Sequence, residues 1–375
     1  MKKISVYTRD GYSGSSSYYR ILQYTSKINL MDNYQVRNRI VIPVWLTKKF
    51  YLASDSIFDN LIKLLYYVIV FFRTQLFFIS DIISKPDCII ILRAITPKVY
   101  FPPLSWLYKN LICHNSVIWD FDDNILESNE ITLGEFDILS KYANFIIVTN
   151  LELQRLVNNN KNNIILIPTT DGDFSSYSFE HNSYNRINTY KNIIYIVWVA
   201  SSTNLIYLQE IMPALDSAAQ KLLKNYKKKL ILKCVCNKPI EYQCHSLIIE
   251  NIKWTRHQAI DAIKQSHIGI MPLDDTKFTR GKGGFKIIQY MACGIPAIAS
   301  GVGYNNEIIE NEKSGILVNG TNIDSWYCAI IKLATNIELW KKMCYCSYSR
   351  WKTNFNYEDT LKKWLNIICK AMEEK

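Results

Sequence analysis

Short apolar runs separated by longer mixed segments repeat along the first half of the chain. The runs lie at Ile4–Tyr7, Arg39–Trp45, Cys88–Leu92, Ser116–Trp119, Asn144–Val148 and Ile164–Ile167. Runs that lack alternating polar positions, such as Cys88–Leu92, are typical of strands buried on both faces of a parallel sheet. The segments Tyr18–Lys27 and Leu104–Cys113 between them have helical character. The first half is therefore predicted to alternate strands with helices.

The same alternation starts again at Ile193. Further strands are predicted at Ile193–Val199, Leu230–Val235, Leu247–Ile249, Ile268–Met271, Ile295–Ala299 and Ile316–Val318. The polar residues between the two series have no sustained period and predict a linker. Such alternation indicates an α/β protein with two doubly wound domains and a cleft between them. The predicted boundaries are 1–170 for the first domain, 171–191 for the linker, 192–345 for the second domain and 346–375 for a C-terminal helical segment.

Composition and charge narrow the class of protein. Of the 375 residues, 49% are hydrophobic and 21% are charged, which predicts a packed core rather than disorder. The net charge of +11 suits a partner that carries phosphate: a nucleic acid, a nucleotide or an anionic membrane surface. The excess charge is scattered, and no basic helix or aromatic RNA-binding motif occurs. A nucleic-acid partner is therefore not predicted.

The start of the chain and its cysteines bear on location and metal content. Met1-Lys2-Lys3 is followed by too short an apolar stretch for a cleavable signal, so a cytoplasmic location is expected. The ten cysteines then indicate free thiols. Cys234, Cys236 and Cys244 lack the paired spacing of zinc modules. We predict no metal site.

The most apolar stretch of the chain runs from Ile57 to Ile83. Charged residues such as Arg73 and Asp81 interrupt it, and its clean run, Leu64–Phe72, is far shorter than the ~20 residues of a membrane-spanning helix. Three interpretations stay open. The segment could be a long buried or amphipathic helix of the fold, or it could rest on the inner face of a membrane, because its tyrosines and phenylalanines beside cations suit an interface. A true membrane span is the third.

The glycine-rich segment that starts at Gly281 has the features of an anion site. Gly281, Gly283 and Gly284 form a flexible loop, and a helix is predicted from Phe285 onward. Free N–H groups and the helix dipole both favour phosphate at such a helix start. Lys282 and Lys286 add two cations there, and Lys286 shares a helix face with Gln289. The layout predicts a diphosphate at the helix start and a ribose near Gln289.

The run Gly281–Pro296, followed by Ser300–Gly303 and Glu307, resembles the donor-binding segment of family 4 glycosyltransferases. The glycine loop around Gly14 and the stretch Val197–Asn204 agree with the family in order. The resemblance implies the GT-B architecture: two facing Rossmann-like domains, the first on the acceptor side, with the C-terminal helix packing back on the first domain. It also implies retaining sugar transfer from a nucleoside-diphosphate sugar, without metal or cofactor.

The resemblance further implies roles for individual side chains. Lys282 and Lys286 would stabilise the leaving diphosphate. Donor contacts are implied at Gly14, Ser201, Ser202, Asn204, Trp254, Gly283, Gly284, Gln289 and Glu307. Trp254 could stack on the base or pack in the core. The expected acceptor is a hydroxyl of a glycan or of a lipid-linked glycan, in the synthesis of a cell-surface polysaccharide.

Two positions depart from the family pattern. Many relatives carry a pair of glutamates where this chain has Gly281 and Gln289. An amide can still hydrogen-bond a ribose, but glycine cannot replace a carboxylate. The basic pair that family members usually place near the start of the second domain is also missing after Val199. A protein that binds a nucleotide sugar or a partner without catalysis is therefore the alternative.

An acidic cluster follows the predicted strand Ser116–Trp119. Asp120, Asp122 and Asp123 could hold a divalent metal, serve as a helix cap, or face the ligand crevice at the carboxyl end of the sheet. In the last case Asp122 and Asp123 would support catalysis and Asp120 would contact the acceptor. Arg93, which follows another strand, could meet a phosphate on the acceptor side or form a structural ion pair.

Overall fold

The computed structural model describes residues 1–12, 14–43, 45–46, 57–95, 102–157 and 163–373. Within its helices, the side chains of residues 57–62, 102–104 and 180–183 are not described. The chain divides into two compact units: Met1–Thr169 with Glu358–Lys375 form unit 1, and Thr170–Tyr357 form unit 2.

Unit 1 is built on a six-stranded parallel sheet. Its strands are β1 (Lys2–Thr8), β2 (Tyr34–Ile40), β3 (Cys88–Leu92), β4 (Val117–Phe121), β5 (Phe145–Val148) and β6 (Asn163–Leu166), in the spatial order β2-β1-β3-β4-β5-β6. The helical segment α1 comprises Ser15–Ser17, a π-helical turn at Tyr18–Leu22, and Gln23–Asn29; the other helices are α2 (Ile57–Ser84), α3 (Pro102–Cys113), α4 (Leu133–Tyr142), α5 (Leu151–Leu156) and the C-terminal α14 (Tyr357–Glu373).

The strands form where the sequence is apolar and β-branched. Every residue of β3, β4 and β5 is buried, as expected for central parallel strands covered by helices on both faces. The edge strand β2 is half-buried along its whole length. It occupies Tyr34–Ile40 instead of the predicted 39–45, because polar and apolar residues mix in it and the apolar run that follows is not part of the strand. Val44 in that prediction lies outside the described residues.

The C-terminal helix packs back on unit 1, as predicted. Ser116 Oγ donates a hydrogen bond to the carbonyl of Ala371, and Tyr34 OH lies 3.2 Å from Cys369 Sγ. Lys27 Nζ also pairs with Glu358 at 2.8 Å. The returning segment is shorter than the predicted 346–375, since it begins at Glu358 and the residues before it belong to unit 2.

Unit 2 contains a second six-stranded parallel sheet, which confirms the predicted α/β class. Its strands are β7 (Ile193–Val199), β8 (Lys229–Cys236), β9 (Ile248–Lys253), β10 (Ile268–Met271), β11 (Ala297–Ser300) and β12 (Gly315–Val318), in the order β12-β11-β10-β7-β8-β9. Its helices are α6 (Phe179–Tyr190), α7 (Leu205–Tyr226), α8 (Arg256–Lys264), α9 (Lys277–Arg280), α10 (Phe285–Ala292), α11 (Asn305–Ile308), α12 (Ile323–Thr335) and α13 (Ile337–Asn354).

The predicted linker is part of unit 2. Residues 171–191 contain a short 3₁₀ turn at Gly172–Phe174 and then α6. Phe174 is fully buried in the core of this unit, and Tyr190 OH donates to the carbonyl of Leu333 at 2.5 Å. A segment of polar composition therefore folds as a helix because a few of its aromatic side chains reach the core.

The strand order of unit 2 reverses between β7 and β10, which lie side by side. In open α/β sheets, ligands bind at the carboxyl ends of the two strands that flank such a switch point. Helix α10 packs directly there: a Cβ added to Gly269 of β10 would lie 2.2 Å from the ring of Tyr290. Tyr290 OH also accepts from the N–H of Val199 at 3.3 Å. The glycine at 269 is thus what lets α10 approach the sheet.

Candidate functional site

The segment between β10 and α10 is a short, well-tied loop at this switch point. Thr276 and Thr279 cap α9 reciprocally, with Thr279 N–H donating to Thr276 Oγ1 at 3.2 Å and Thr276 N–H donating to Thr279 Oγ1 at 2.9 Å. Arg280 pairs with Asp275 through Nε at 2.5 Å from Oδ1. These bonds fix the chain just before Gly281, so the glycine loop that follows starts from a defined position.

Gly284 sets the start of α10. Its φ of +60° lies in the left-handed region, and an added Cβ would meet Ile308 Cδ1 at 2.1 Å. Only glycine satisfies both conditions without strain. Its carbonyl accepts the N–H groups of Ile287 and Ile288 at 3.0 and 3.3 Å, so the preceding backbone turns into the first helical turn at this point. The result is a helix N-terminus fed by a glycine loop, the arrangement that binds anions.

The two lysines of the loop and first turn lie against aromatic faces. Lys282 Nζ is 4.5 Å from the centre of the Phe278 ring, and Lys286 Nζ is 4.9 Å from that of Phe285. Such contacts hold an ammonium in place without neutralising it. Lys282 precedes the Gly283–Gly284 pair and Lys286 follows it in the first turn of α10. The structure thus brings all four predicted phosphate-site residues into one short stretch at the switch point.

A buried polar chain connects Lys286 with the start of unit 2. Lys286 Nζ donates to Gln289 Oε1 at 2.9 Å, and Gln289 Nε2 donates to Asp171 Oδ2 at 2.6 Å. Gln289 and Asp171 are each only 1% exposed. Both ends of the Gln289 amide are therefore used inside the unit. Gln289 thus links Lys286 to Asp171, and the ribose contact at Gln289 stays a prediction.

Burial shifts the pKa values of the two charged groups at the ends of this chain. It lowers the pKa of Lys286 to about 8, although the nearby Asp171 carboxylate acts in the opposite direction. It raises the pKa of Asp171 to about 6, and the neighbouring Asp173 adds to the rise while the Gln289 hydrogen bond opposes it. Asp171 was missed from sequence because it falls in the predicted linker; its only signal is its place in the Asp171-Gly172-Asp173 turn.

The loop after β7 is polar and internally bonded. Asn204 Nδ2 donates to Ser201 Oγ at 2.9 Å, and Asn237 Oδ1 and Nδ2 bind the N–H and hydroxyl of Ser202 at 2.8 and 3.1 Å. Because β7 is the other strand of the switch point, this loop lies at the same edge of the sheet as α10. It offers hydroxyls and an amide close to the start of α7.

Trp254 and Glu307 have different surroundings. Trp254 is half-buried and packs on the core cluster that contains Val235 and Ala259, and its backbone N–H donates to the carbonyl of Cys236 at 2.9 Å. Core packing is therefore part of its role. Glu307 is exposed in the first turn of the short helix α11, beyond the Gly301–Gly303 loop. Both residues follow carboxyl ends of strands in the same sheet.

In unit 1, the acidic cluster is held by an arginine. Arg93 donates from Nε to Asp122 Oδ1 at 2.7 Å, from Nη2 to Asp123 Oδ2 at 2.6 Å and from Nη1 to Glu130 Oε1 at 3.1 Å. The carboxylates raise its pKa well above the usual range of an arginine, against the effect of burial. Arg93 thus forms ion pairs with three carboxylates, as in the structural alternative, and the phosphate contact stays a prediction.

Asp120 lies inside unit 1. It is fully buried and forms a two-pronged ion pair with Arg20, which donates from Nε to Asp120 Oδ2 at 3.0 Å and from Nη2 to Oδ1. Arg20 also donates to the carbonyl of Ile167 at 2.8 Å and to Thr169 Oγ1 at 3.2 Å. The carboxylate of Asp120 is thus paired with Arg20, and its acceptor contact stays a prediction. Sequence reasoning missed Arg20, which lies in an ordinary helical pattern.

The first glycine loop lies at the switch point of unit 1, between β1 and β3. Gly14 N–H donates to the carbonyl of Gly11 at 2.9 Å, and Gly14 packs on Asp10 so closely that an added Cβ would lie 2.5 Å from its Cβ. Among the described residues, Asp10 Oδ1 is buried and has no hydrogen-bond partner. Burial raises the pKa of Asp10, while Arg9 and Arg93 act to lower it. Asp10 Oδ1 is therefore a hydrogen-bond acceptor at this switch point that the sequence did not indicate.

Metal-ligand geometry is not found in the described part of the chain. There, no group of three or more His, Cys, Asp or Glu side chains is arranged to hold an ion. The aspartates of the 120–123 cluster contact arginines instead.

Comparison with known proteins finds similarity to glycosyltransferases in unit 2. Residues 195–336 match the family model described as "Glycosyl transferases group 1". A D-inositol 3-phosphate glycosyltransferase of Salinispora tropica is 29% identical over 91 residues, which is 24% of this chain and 19% of that protein's length. The match thus spans about a fifth of that relative.

Solved structures resemble the whole chain in fold. A sucrose-phosphate synthase from Thermosynechococcus elongatus has a TM-score of 0.68 at 13% identity, with all of both chains covered. A glycosyltransferase from Rickettsia africae has a TM-score of 0.62 at 13% identity, covering 100% of this chain and 99% of its own. Anabaena HepE, in complex with UDP and glucose, has a TM-score of 0.62 at 10% identity, covering 99% and 100%. These likenesses confirm the predicted GT-B fold.

Proposed function

We propose, from the match of residues 195–336 to the group 1 glycosyl transferase model, that the chain moves a sugar from a nucleoside-diphosphate sugar to a hydroxyl with retention of anomeric configuration. The observation that carries the proposal is the glycine turn at Gly284. It starts α10 at the switch point of the unit 2 sheet, with Lys282 and Lys286 on either side of it in sequence.

The diphosphate of the donor would bind at this helix start. The N–H groups of Gly283 and Gly284 and the two ammonium groups supply positive charge where the leaving group gains negative charge. Stabilisation of the charge that develops in the transition state is the largest contribution that such a site can make to the rate. Because the lysines already supply this charge, we propose that transfer proceeds without a divalent metal.

Gln289 and Asp171 act as positioning residues in this proposal. Gln289 holds Lys286 Nζ at 2.9 Å and is itself held by Asp171 at 2.6 Å. A lysine side chain has several rotatable bonds, and fixing it before the donor binds lowers the entropy cost of each contact. Ser201, Ser202 and Asn204, at the end of β7, would receive hydroxyls of the nucleotide or sugar. Trp254 and Glu307, at the same sheet edge, would border the base and the donor hydroxyls.

The acceptor is proposed to bind at the carboxyl edge of the unit 1 sheet. Asp10 offers a buried oxygen that lacks a partner among the described residues, and it suits an acceptor hydroxyl. Asp122 and Asp123 hold the guanidinium of Arg93 at this edge through ion pairs. The proposed acceptor is a glycan or a lipid-linked glycan. We propose that the transfer takes place in the cytoplasm and serves the synthesis of a cell-surface polysaccharide.

Two structural neighbours, Anabaena HepE and a pneumococcal O-GlcNAc transferase, hold UDP or a UDP-sugar. The test is therefore a calorimetric panel of nucleoside-diphosphate sugars that begins with UDP-glucose and UDP-GlcNAc, with and without EDTA, followed by hydrolysis assays. Selective binding that survives EDTA, together with slow donor hydrolysis, is the expected result. Binding without hydrolysis or transfer would favour the non-catalytic alternative that Gly281 raises. Binding that EDTA abolishes would contradict the metal-free site.

A further inference from the structure

Helix α2 exposes a continuous apolar face, and we propose that this face rests on an anionic lipid membrane. We define the outer face of α2 as its exposed apolar side chains, spaced three or four residues apart. They are Leu65, Val68, Phe72, Leu76, Ile79 and Ile83. Three of them, Phe72, Leu76 and Ile83, are 61%, 66% and 76% exposed. Exposed apolar surface of this extent marks an interaction site.

The polar side chains in the second half of α2 point the other way. Asp81 is fully buried, accepts from Tyr7 OH at 2.7 Å and pairs with Arg39. Arg73 donates to the carbonyl of Ile40 at 3.0 Å and lies over the ring of Phe77. Thr74 is buried and donates to the carbonyl of Val70. A surface helix of a water-soluble unit normally places polar residues outside and apolar residues inside; along this stretch α2 exposes its apolar side chains and turns its polar ones inward.

The charges near this face suit an anionic surface. Lys85, which follows α2, and Lys109 on α3 are exposed. Helix α3 packs on α2 through Tyr108 and Phe78, whose ring centres are 5.4 Å apart, and it exposes Trp106 to 65%. The described side chains of α2 and α3 include a single acid, the buried Asp81. Each lysine near an anionic bilayer contributes favourably to binding.

These observations favour a peripheral lipid contact over two alternatives, a second copy of the chain on this face and a helix that spans the membrane. Two copies of the chain would bring like charges together across the same face, whereas anionic headgroups would neutralise them. The segment Lys63–Ser84 is apolar and long enough to cross a membrane, with 28% of it buried. Crossing would require Asp81 and Arg73 to leave their partners in the sheet, and would remove Val70 and Phe78 from the core of unit 1. The contact is therefore peripheral, with the helix lying in the plane of the interface.

The test measures binding of the full chain to sedimented vesicles of phosphatidylcholine with phosphatidylglycerol, and to phosphatidylcholine alone. The wild type should partition onto the anionic vesicles. The double variant Phe72→Glu with Leu76→Glu should lose at least tenfold in partition coefficient, and Lys85→Ala with Lys109→Ala should lose roughly fivefold per lysine. The matched control is Leu223→Glu, which adds the same charge at an exposed leucine of α7 in unit 2 and should bind as the wild type does.

Circular dichroism and UDP binding of the same variants show whether they fold. The membrane contact is independent of the proposed donor chemistry. Absence of wild-type binding to the anionic vesicles would overturn the proposed membrane contact. If the wild type is dimeric without lipid and the Phe72→Glu/Leu76→Glu variant is monomeric, the outer face of α2 binds a second copy of the chain instead. Resistance of the bound protein to alkaline carbonate would show that α2 spans the bilayer. Failure to bind UDP with intact vesicle binding would overturn the proposed function alone.

Discussion

Replacing Lys286 by Met removes the ammonium group at the start of α10 and retains a flexible apolar side chain of similar length. In the structure this group is held at 2.9 Å from Gln289 Oε1, in the first turn after Gly284. A hydrogen bond that involves a charged group contributes about 1.5–3 kcal/mol. Since 1.4 kcal/mol corresponds to a factor of ten, the affinity for UDP should fall roughly 10- to 150-fold.

The pH dependence of UDP binding gives a second, sharper readout. Lys286 has a pKa lowered to about 8, so it carries its charge below that pH and loses it above. Affinity for UDP in the wild type should therefore be highest below pH 8 and fall by up to about tenfold per pH unit above it. The Lys286→Met variant should bind weakly and show no change in that window. Isothermal titration calorimetry between pH 6.5 and 9.5 measures both effects.

Lys221→Met is the matched control, because Lys221 is exposed on the second half of α7, which leads toward the amino edge of the same sheet. It removes the same charge from the chain and should leave UDP affinity within twofold of the wild type. The reasoning is refuted if Lys286→Met binds UDP as tightly as the wild type, or if it keeps the loss of affinity above pH 8.

Three further predictions concern stability and are measured by denaturant unfolding. Burial raises the pKa of Asp171 from 3.8 to about 6, so protonation of this carboxyl favours the folded state and the contribution is lost as pH rises through 6. Asp171→Asn should therefore be more stable than the wild type at pH 7, by up to about 3 kcal/mol. Equal stability of the two proteins would contradict the cost assigned to burying the charged carboxylate. Gly284→Ala should cost roughly 2–4 kcal/mol, from the left-handed backbone and the 2.1 Å approach to Ile308, and a neutral result would show that α10 starts differently. Asp120→Asn leaves the Arg20 guanidinium buried beside a neutral partner and should cost up to about 3–5 kcal/mol, whereas an unchanged midpoint would argue against the buried pair.

Much of the fold could be predicted because its signals are local. Fully apolar runs such as Cys88–Leu92 are buried on both sides wherever they occur, and the alternation with helices leaves few topologies. The glycine loop around Gly284 was also visible, since glycine is the residue that adopts a left-handed backbone without strain. The polar segment 171–191 misled the prediction, because its helix α6 depends on the core contact of Tyr190 and not on its own periodicity.

The side-chain partners in the site could not be predicted, because they lie far apart in sequence. Arg20 meets Asp120 across 100 positions, and Gln289 meets Asp171 across 118. A sequence pattern shows that Asp120 is acidic and follows apolar residues, but not that an arginine neutralises it. The exposed side of α2 posed the same difficulty, since a helix that is apolar on most faces gives no sign of which face is covered.

The most direct test of the donor site is a crystal structure of the chain with bound UDP. The diphosphate should lie within hydrogen-bond distance of the N–H groups of Gly283 and Gly284 and of Lys286 Nζ, at the start of α10. A diphosphate bound elsewhere, or held through a metal ion at Asp122 and Asp123, would contradict the account.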